Sequence, residues 1–71
     1  MKARLTKNVP RNRIALISGN CDKLPTVGDI GETDQRFTGK DGRPMVFVYF
    51  ESADGSTEWE VEAYESELAY E

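Results

Sequence analysis

Thirteen carboxylates, nine cationic side chains, one cysteine and no histidine limit the chemistry open to this chain of 71 residues. Without His, the usual general base near neutral pH and the commonest metal ligand are both missing. Cys21 has Lys23 two residues on, which would lower a thiol pKa, but Asp22 beside it opposes the effect, and no base completes a nucleophilic pair. It reads as a loop or core thiol, and one cysteine forms no internal disulfide. The acids Glu58, Glu60 and Glu62 fall at period two, with Glu65 and Glu67 beyond. On a strand that spacing puts the first three on one face about 7 Å apart, too far for neighbours to grip one cation unaided. The ladder therefore reads as a solvated strand face, or as an acidic surface for a basic partner. No cofactor is expected, and an enzyme is not.

The cations are distributed unevenly. Residues 1–43 hold all nine basic residues and five acids, whereas residues 44–71 hold eight acids and no base, within a net charge of −4. Lys2, Arg4, Lys7, Arg11 and Arg13 could neutralise phosphates. No aromatic residue precedes Phe37, however, so a base-stacking platform has no candidates in that segment, and an acidic protein repels nucleic acid at long range. The arm is expected mainly to complement the acidic C-terminal strands, with phosphate binding as the alternative.

The elements that would position these groups are strands. The run Met45-Val46-Phe47-Val48-Tyr49-Phe50 meets an Asp54-Gly55 turn and then the alternation Glu58-Trp59-Glu60-Val61-Glu62-Ala63, the signature of a β-hairpin. Further strands are expected at Lys2–Lys7, where basic or polar residues alternate with Ala3 and Leu5, at Ile14–Ile17, at Thr33–Thr38 and at Ala69-Tyr70. Ser18–Pro25 reads as a loop, Gly39-Lys40-Asp41-Gly42 as a second turn and Glu65–Leu68 as a 3₁₀ turn. No stretch has the periodicity and length of a stable helix. The chain is expected to be one domain over 1–71, cytoplasmic, with no membrane span and no apolar signal-peptide core.

If Asp54-Gly55 are the central residues of a two-residue type I′ turn, Phe50 faces Trp59, Val48 faces Val61 and Val46 faces Ala63. The same geometry at Asp41-Gly42 makes Phe37 face Val46, so both turns agree on one core face. Met45, Phe47 and Tyr49 then point outward, flanked by Glu60 and Glu62 on one side and by Asp34 and Arg36 on the other. Either the N-terminal segment covers them, or they form a partner or dimer surface rimmed by charge.

The Gly28 and Gly31 pair before a strand, the tight turns around Met45–Phe50 and the short acidic corner at Glu65–Leu68 resemble the SH3-like small-barrel superfold, best over Val27–Tyr70. That resemblance implies an all-β barrel of about five antiparallel strands with a 3₁₀ turn before the last. The superfold hosts ribosomal, nucleic-acid-binding, photosynthetic-accessory and adaptor proteins, so it constrains function little. The chain lacks the Ala-Leu-Tyr-type start and adjacent tryptophans of signalling SH3 domains, so no peptide-binding residues carry over. The expected function is a non-enzymatic protein-interaction or accessory module. Its partner, a foreign protein or a second copy, would bind through Met45, Phe47 and Tyr49, with Arg36 stacked on Phe47 and Glu60 and Glu62 as a rim. The alternative is a nucleic-acid-binding barrel using the basic arm.

Overall fold

The computed structural model describes residues 1–19 and 23–71. Cys21 and Asp22, and with them the centre of the expected Ser18–Pro25 loop, lie outside the described residues. Six strands form: β1 (Lys2–Leu5), β2 (Ile14–Ser18), β3 (Ile30–Thr38), β4 (Pro44–Glu51), β5 (Glu58–Tyr64) and β6 (Leu68–Tyr70). Single 3₁₀ turns at Arg11–Arg13 and Glu65–Glu67 precede β2 and β6. Among the described residues no helix is long and apolar enough to cross a membrane.

The strands make one antiparallel sheet in the order β2-β5-β4-β3-β1-β6. The expected SH3-like barrel is overturned here, because the edge strands β2 and β6 share no ladder and the sheet stays open. All-β character and the 3₁₀ turn before the last strand hold, but there are six strands, not five. Strand spacing along a chain does not encode closure, which depends on whether the two edges meet.

The gap between the edges is spanned by side chains. Arg13, on the turn before β2, donates from Nη1 to Glu67 Oε1 at 2.8 Å and from Nη2 to Glu67 Oε2 at 3.0 Å. Its Nη1 also donates to the Glu62 carbonyl at 2.9 Å. Glu67 Oε1 accepts the Tyr64 amide as well, and its own carbonyl accepts the Thr6 amide. One forked, charge-assisted contact thus ties together two chain segments far apart in sequence.

The β4–β5 register is the expected one: Val46 opposite Ala63, Val48 opposite Val61, Phe50 opposite Trp59. The turn differs in kind. Ser52 and Thr57 still pair, the Gly55 amide donates to the Ser52 carbonyl, and Gly55 alone has a positive φ, of 74°. Four residues therefore connect the strands, and Asp54 stabilises the loop by accepting from Ser52 Oγ, Ser56 N and Ser56 Oγ. Those bonds, Ser56's first, lower the Asp54 pKa to about 2.

The β3–β4 register is a correction. Phe37 faces Met45, and Arg36 faces Val46. The Gly39 amide bonds the Arg43 carbonyl, and the Gly42 amide bonds the Gly39 carbonyl, so three residues form the loop. Gly42, at φ 84°, supplies the left-handed residue that such a loop needs. An odd loop shifts the pairing by one and moves Phe37 to the opposite face. A bulge between Thr33 and Arg36 then adds a residue to β3.

One side of the sheet carries the core: Ala3, Leu5, Val9, Val46, Val48, Phe50, Trp59, Val61, Ala63 and Leu68, with Ile14 and Leu24 against it. β1 pairs with β3 and β6 and sends Ala3 and Leu5 into this core. It therefore lies within the sheet and does not cover the face carrying Phe47.

Candidate functional site

The outer face of β3, β4 and β5 is built by the alternation of β4. With Val46, Val48 and Phe50 turned to the core, Met45, Phe47 and Tyr49 must turn away from it. Opposite them on β5 stand Tyr64, Glu62 and Glu60. On the β3 side the shifted register brings Phe37 into the same surface, where its ring stacks on Phe47 with centroids 4.4 Å apart and an interplanar angle of 23°. Met45 is buried at the hairpin end, and a Cβ on Gly39 would stand 2.7 Å from its Sδ. Phe37 and Phe47 are half-buried, whereas Tyr49 is 39% exposed.

At the hairpin end this face opens into a groove of about 430 Å³ floored by Phe37, Met45 and Tyr64, with Arg13, Lys40 and Glu62 among its rim residues. Its wall is polar and cross-linked by hydrogen bonds. The Tyr64 hydroxyl donates to Asp41 Oδ2 at 2.9 Å, and Arg43 Nε donates to the same oxygen at 2.8 Å. The Arg43 guanidinium lies 3.8 Å from the Tyr64 ring centroid and that of Arg13 lies 4.7 Å away, both cation–π distances. Arg43, followed by the Tyr64 hydroxyl, lowers the Asp41 carboxyl to a pKa of about 2, so the anion persists across ordinary pH.

At the other end the Tyr49 hydroxyl is pushed above its ordinary range, first by the Glu60 carboxylate as acceptor, then by desolvation and by the charges of Glu60 and Asp34. It stays a protonated donor near neutral pH. Glu58, Glu60 and Glu62 form no ion pair among the described residues. Nor do three or more His, Cys, Asp or Glu side chains there gather as a metal site.

Of the residues expected at the partner surface, Met45, Phe47, Tyr49, Glu60 and Glu62 share this face. Arg36 does not stack on Phe47. The shifted register sends it to the Val46 side, where Nε pairs with Glu65 Oε1 at 2.9 Å and the guanidinium lies 5.9 Å from the Tyr70 ring. Phe37 and Tyr64 are the members that sequence reasoning missed. The signal available for Phe37 was the Gly39–Gly42 spacing, which fits a three-residue loop as well as a two-residue one.

The five residues of the alternative phosphate site are dispersed. Lys2 and Arg4 lie on β1, Lys7 follows it, and Arg11 and Arg13 form the turn before β2. Arg4 pairs with Glu71 at 3.1 Å and Arg13 with Glu67, so two of the five already have carboxylate partners. Lys2 sits opposite Glu32 in the ladder and forms no ion pair among the described residues. Comparison with protein-family models, curated proteins and solved structures gives no match to this chain.

Proposed function

We propose that the chain is a cytoplasmic, non-enzymatic protein-interaction module that binds its partner through the outer face of β3–β5. The observation carrying this reading is the Phe37–Phe47 stack on a face that no other strand covers among the described residues, continued by exposed Tyr49. Stacked aromatics next to a groove provide rigid apolar area at little entropic cost, the composition found at the energetic centres of interfaces. Glu60 and Glu62 supply a charged rim that discourages indiscriminate association.

Phe47→Asp and Tyr49→Asp test the proposal. Sedimentation over a range of concentrations reads self-association, and affinity capture from the native source, with the variants in parallel, reads a foreign partner. The reading expects a complex that both variants lose while amide exchange shows their folds intact. A monomeric wild type that captures the same proteins as the variants would overturn it.

A further inference from the structure

Outside that face, the free edge of β2 is the most unusual surface. β2 bonds β5 on one side only; on the other it meets no strand among the described residues, and only the Ile14 amide has a partner besides β5 there, the Arg11 carbonyl of the preceding turn. Its sequence, Ile14-Ala15-Leu16-Ile17-Ser18, is apolar at four positions, with Leu16 42% and Ile17 50% exposed. Natural sheets guard such edges with charge, proline or very short strands. β6, at the opposite edge, follows that rule, with three residues flanked by Glu65, Glu67 and Glu71. β2 has no charge and no proline, and is interrupted only by the irregularity between Leu16 and Ser18.

The register specifies what would fit. Ala15 lies opposite Glu60 and Ser18 opposite Glu58 on the outer face, and Leu16 lies opposite Trp59 on the inner face. Beyond the small side chains of Ala15 and Ser18 stand the carboxylates of Glu60 and Glu58, which form no ion pair among the described residues. A strand added to β2 would run two strand spacings, about 10 Å, from β5. A Lys or Arg on its outer face can meet a glutamate across that gap, because the position between them holds only a methyl or a hydroxymethyl group. Its inner-face positions would meet Leu16.

We infer that the free edge of β2 accepts an extended, basic segment of a partner protein as an added strand, with Lys or Arg alternating with apolar residues. Charge selects this occupant. A second copy would present a β2 with no cation between Ile14 and Ser18 and would bring together two chains of net charge −4. The inference does not rest on the aromatic face, and either can fail alone.

The test is titration of the isotope-labelled chain at low salt with a capped synthetic peptide alternating Lys and Val, followed by chemical shift and amide exchange. Saturable binding with slowed exchange at Ile14–Ser18 is expected, weakening with salt. Glu58→Gln and Glu60→Gln should each weaken it about twofold to fivefold, while Phe47→Asp leaves it unchanged. The same peptide N-methylated at alternate residues keeps its charge but cannot form the ladder, and should not bind. Equal binding of the methylated peptide, protection confined to other strands, or no saturation up to about 1 mM peptide would overturn the inference. Concentration-dependent protection of β2 without peptide would give the edge to a second copy and overturn it as well.

Discussion

The inward residues of β4, Val46, Val48 and Phe50, cluster with side chains from β1, β2, β5 and β6, whereas its outward residues, Met45, Phe47 and Tyr49, are flanked by β3 and β5, with Arg13 at the groove end. Both sets are apolar and belong to the same strand. What separates them is whether distant parts of the chain return to cover them. The inner face gains β1 and β6, whereas among the described residues the outer face gains no further strand and, from a distant segment, the Arg13 side chain at one end. Apolar sequence alone therefore does not define a core; return of the chain does, and the face left without it is the one available to another molecule.

The largest effect that would break this comparison lies on the inner face. Trp59 is buried opposite Phe50, and Trp59→Ala should cost about 3 to 5 kcal/mol, the usual range for a large core aromatic. Urea melts of this variant and of Phe47→Ala belong in one experiment. Equal losses would mean that the outer face is a second core.

The next effect tests what keeps the inner face covered although β2 and β6 do not pair. The Arg13 and Glu67 side chains are 18% and 11% exposed, so removing one partner strands the other in a poorly hydrated place. Glu67→Gln should cost about 1 to 3 kcal/mol, below the figure for a fully buried pair because some water still reaches it. The pH dependence has a definite sign. Burial raises the Glu67 pKa, but the Arg13 hydrogen bonds, the Tyr64 amide and the charges of Arg13 and Lys7 outweigh it and hold the pKa below the ordinary value. A depressed carboxylate contributes stability that is fully present above its unfolded pKa and is lost as pH falls through its folded one. Acid titration of stability should therefore show a loss that begins as pH falls through the ordinary Glu range and is complete only below the depressed folded pKa, and Glu67→Gln should flatten it.

These residues also show how far the sequence could be read. The β4–β5 pairing was legible because an even loop around Asp54-Gly55 leaves the register unchanged whether two residues or four make the turn. The β3–β4 pairing was not, since Asp41-Gly42 is equally at home in a three-residue loop, and one residue moves Phe37 from core to surface. The outer positions of Phe47, Tyr49, Glu60 and Glu62 followed from alternation alone. Arg13–Glu67 had no local signal, because its partners are 54 positions apart. Neither did the open gap, as strand lengths and turns are compatible with closed and open sheets alike.

Phe47→Ala sharpens the comparison from the outer side. Phe47 loses its stack on Phe37 but leaves no sealed cavity, so about 1 to 2 kcal/mol is expected, clearly less than for Trp59. Phe37→Ala should cost a similar amount, and the double variant less than the sum of the two, because both remove one shared contact. Chemical denaturation of the three variants reads this directly. Strict additivity would show that the stack contributes nothing of its own.

The smallest effect concerns the basic first strand, which carries charge on the solvent side while Ala3 and Leu5 fill the core. Were Lys2 and Arg4 both paired with acids of the last strands, replacing them with Gln would be felt twice. Only Arg4 has such a partner, Glu71, and both side chains of that pair are nearly half exposed. Arg4→Gln should therefore lower stability by about 0 to 1 kcal/mol at low salt, and by nothing measurable at high salt, where exposed charges are screened. Lys2→Gln should be silent in the same melts. A salt-resistant loss on replacing Arg4 would mean that its side chain also packs on the sheet, giving the outer side of β1 a structural role that its exposure does not suggest.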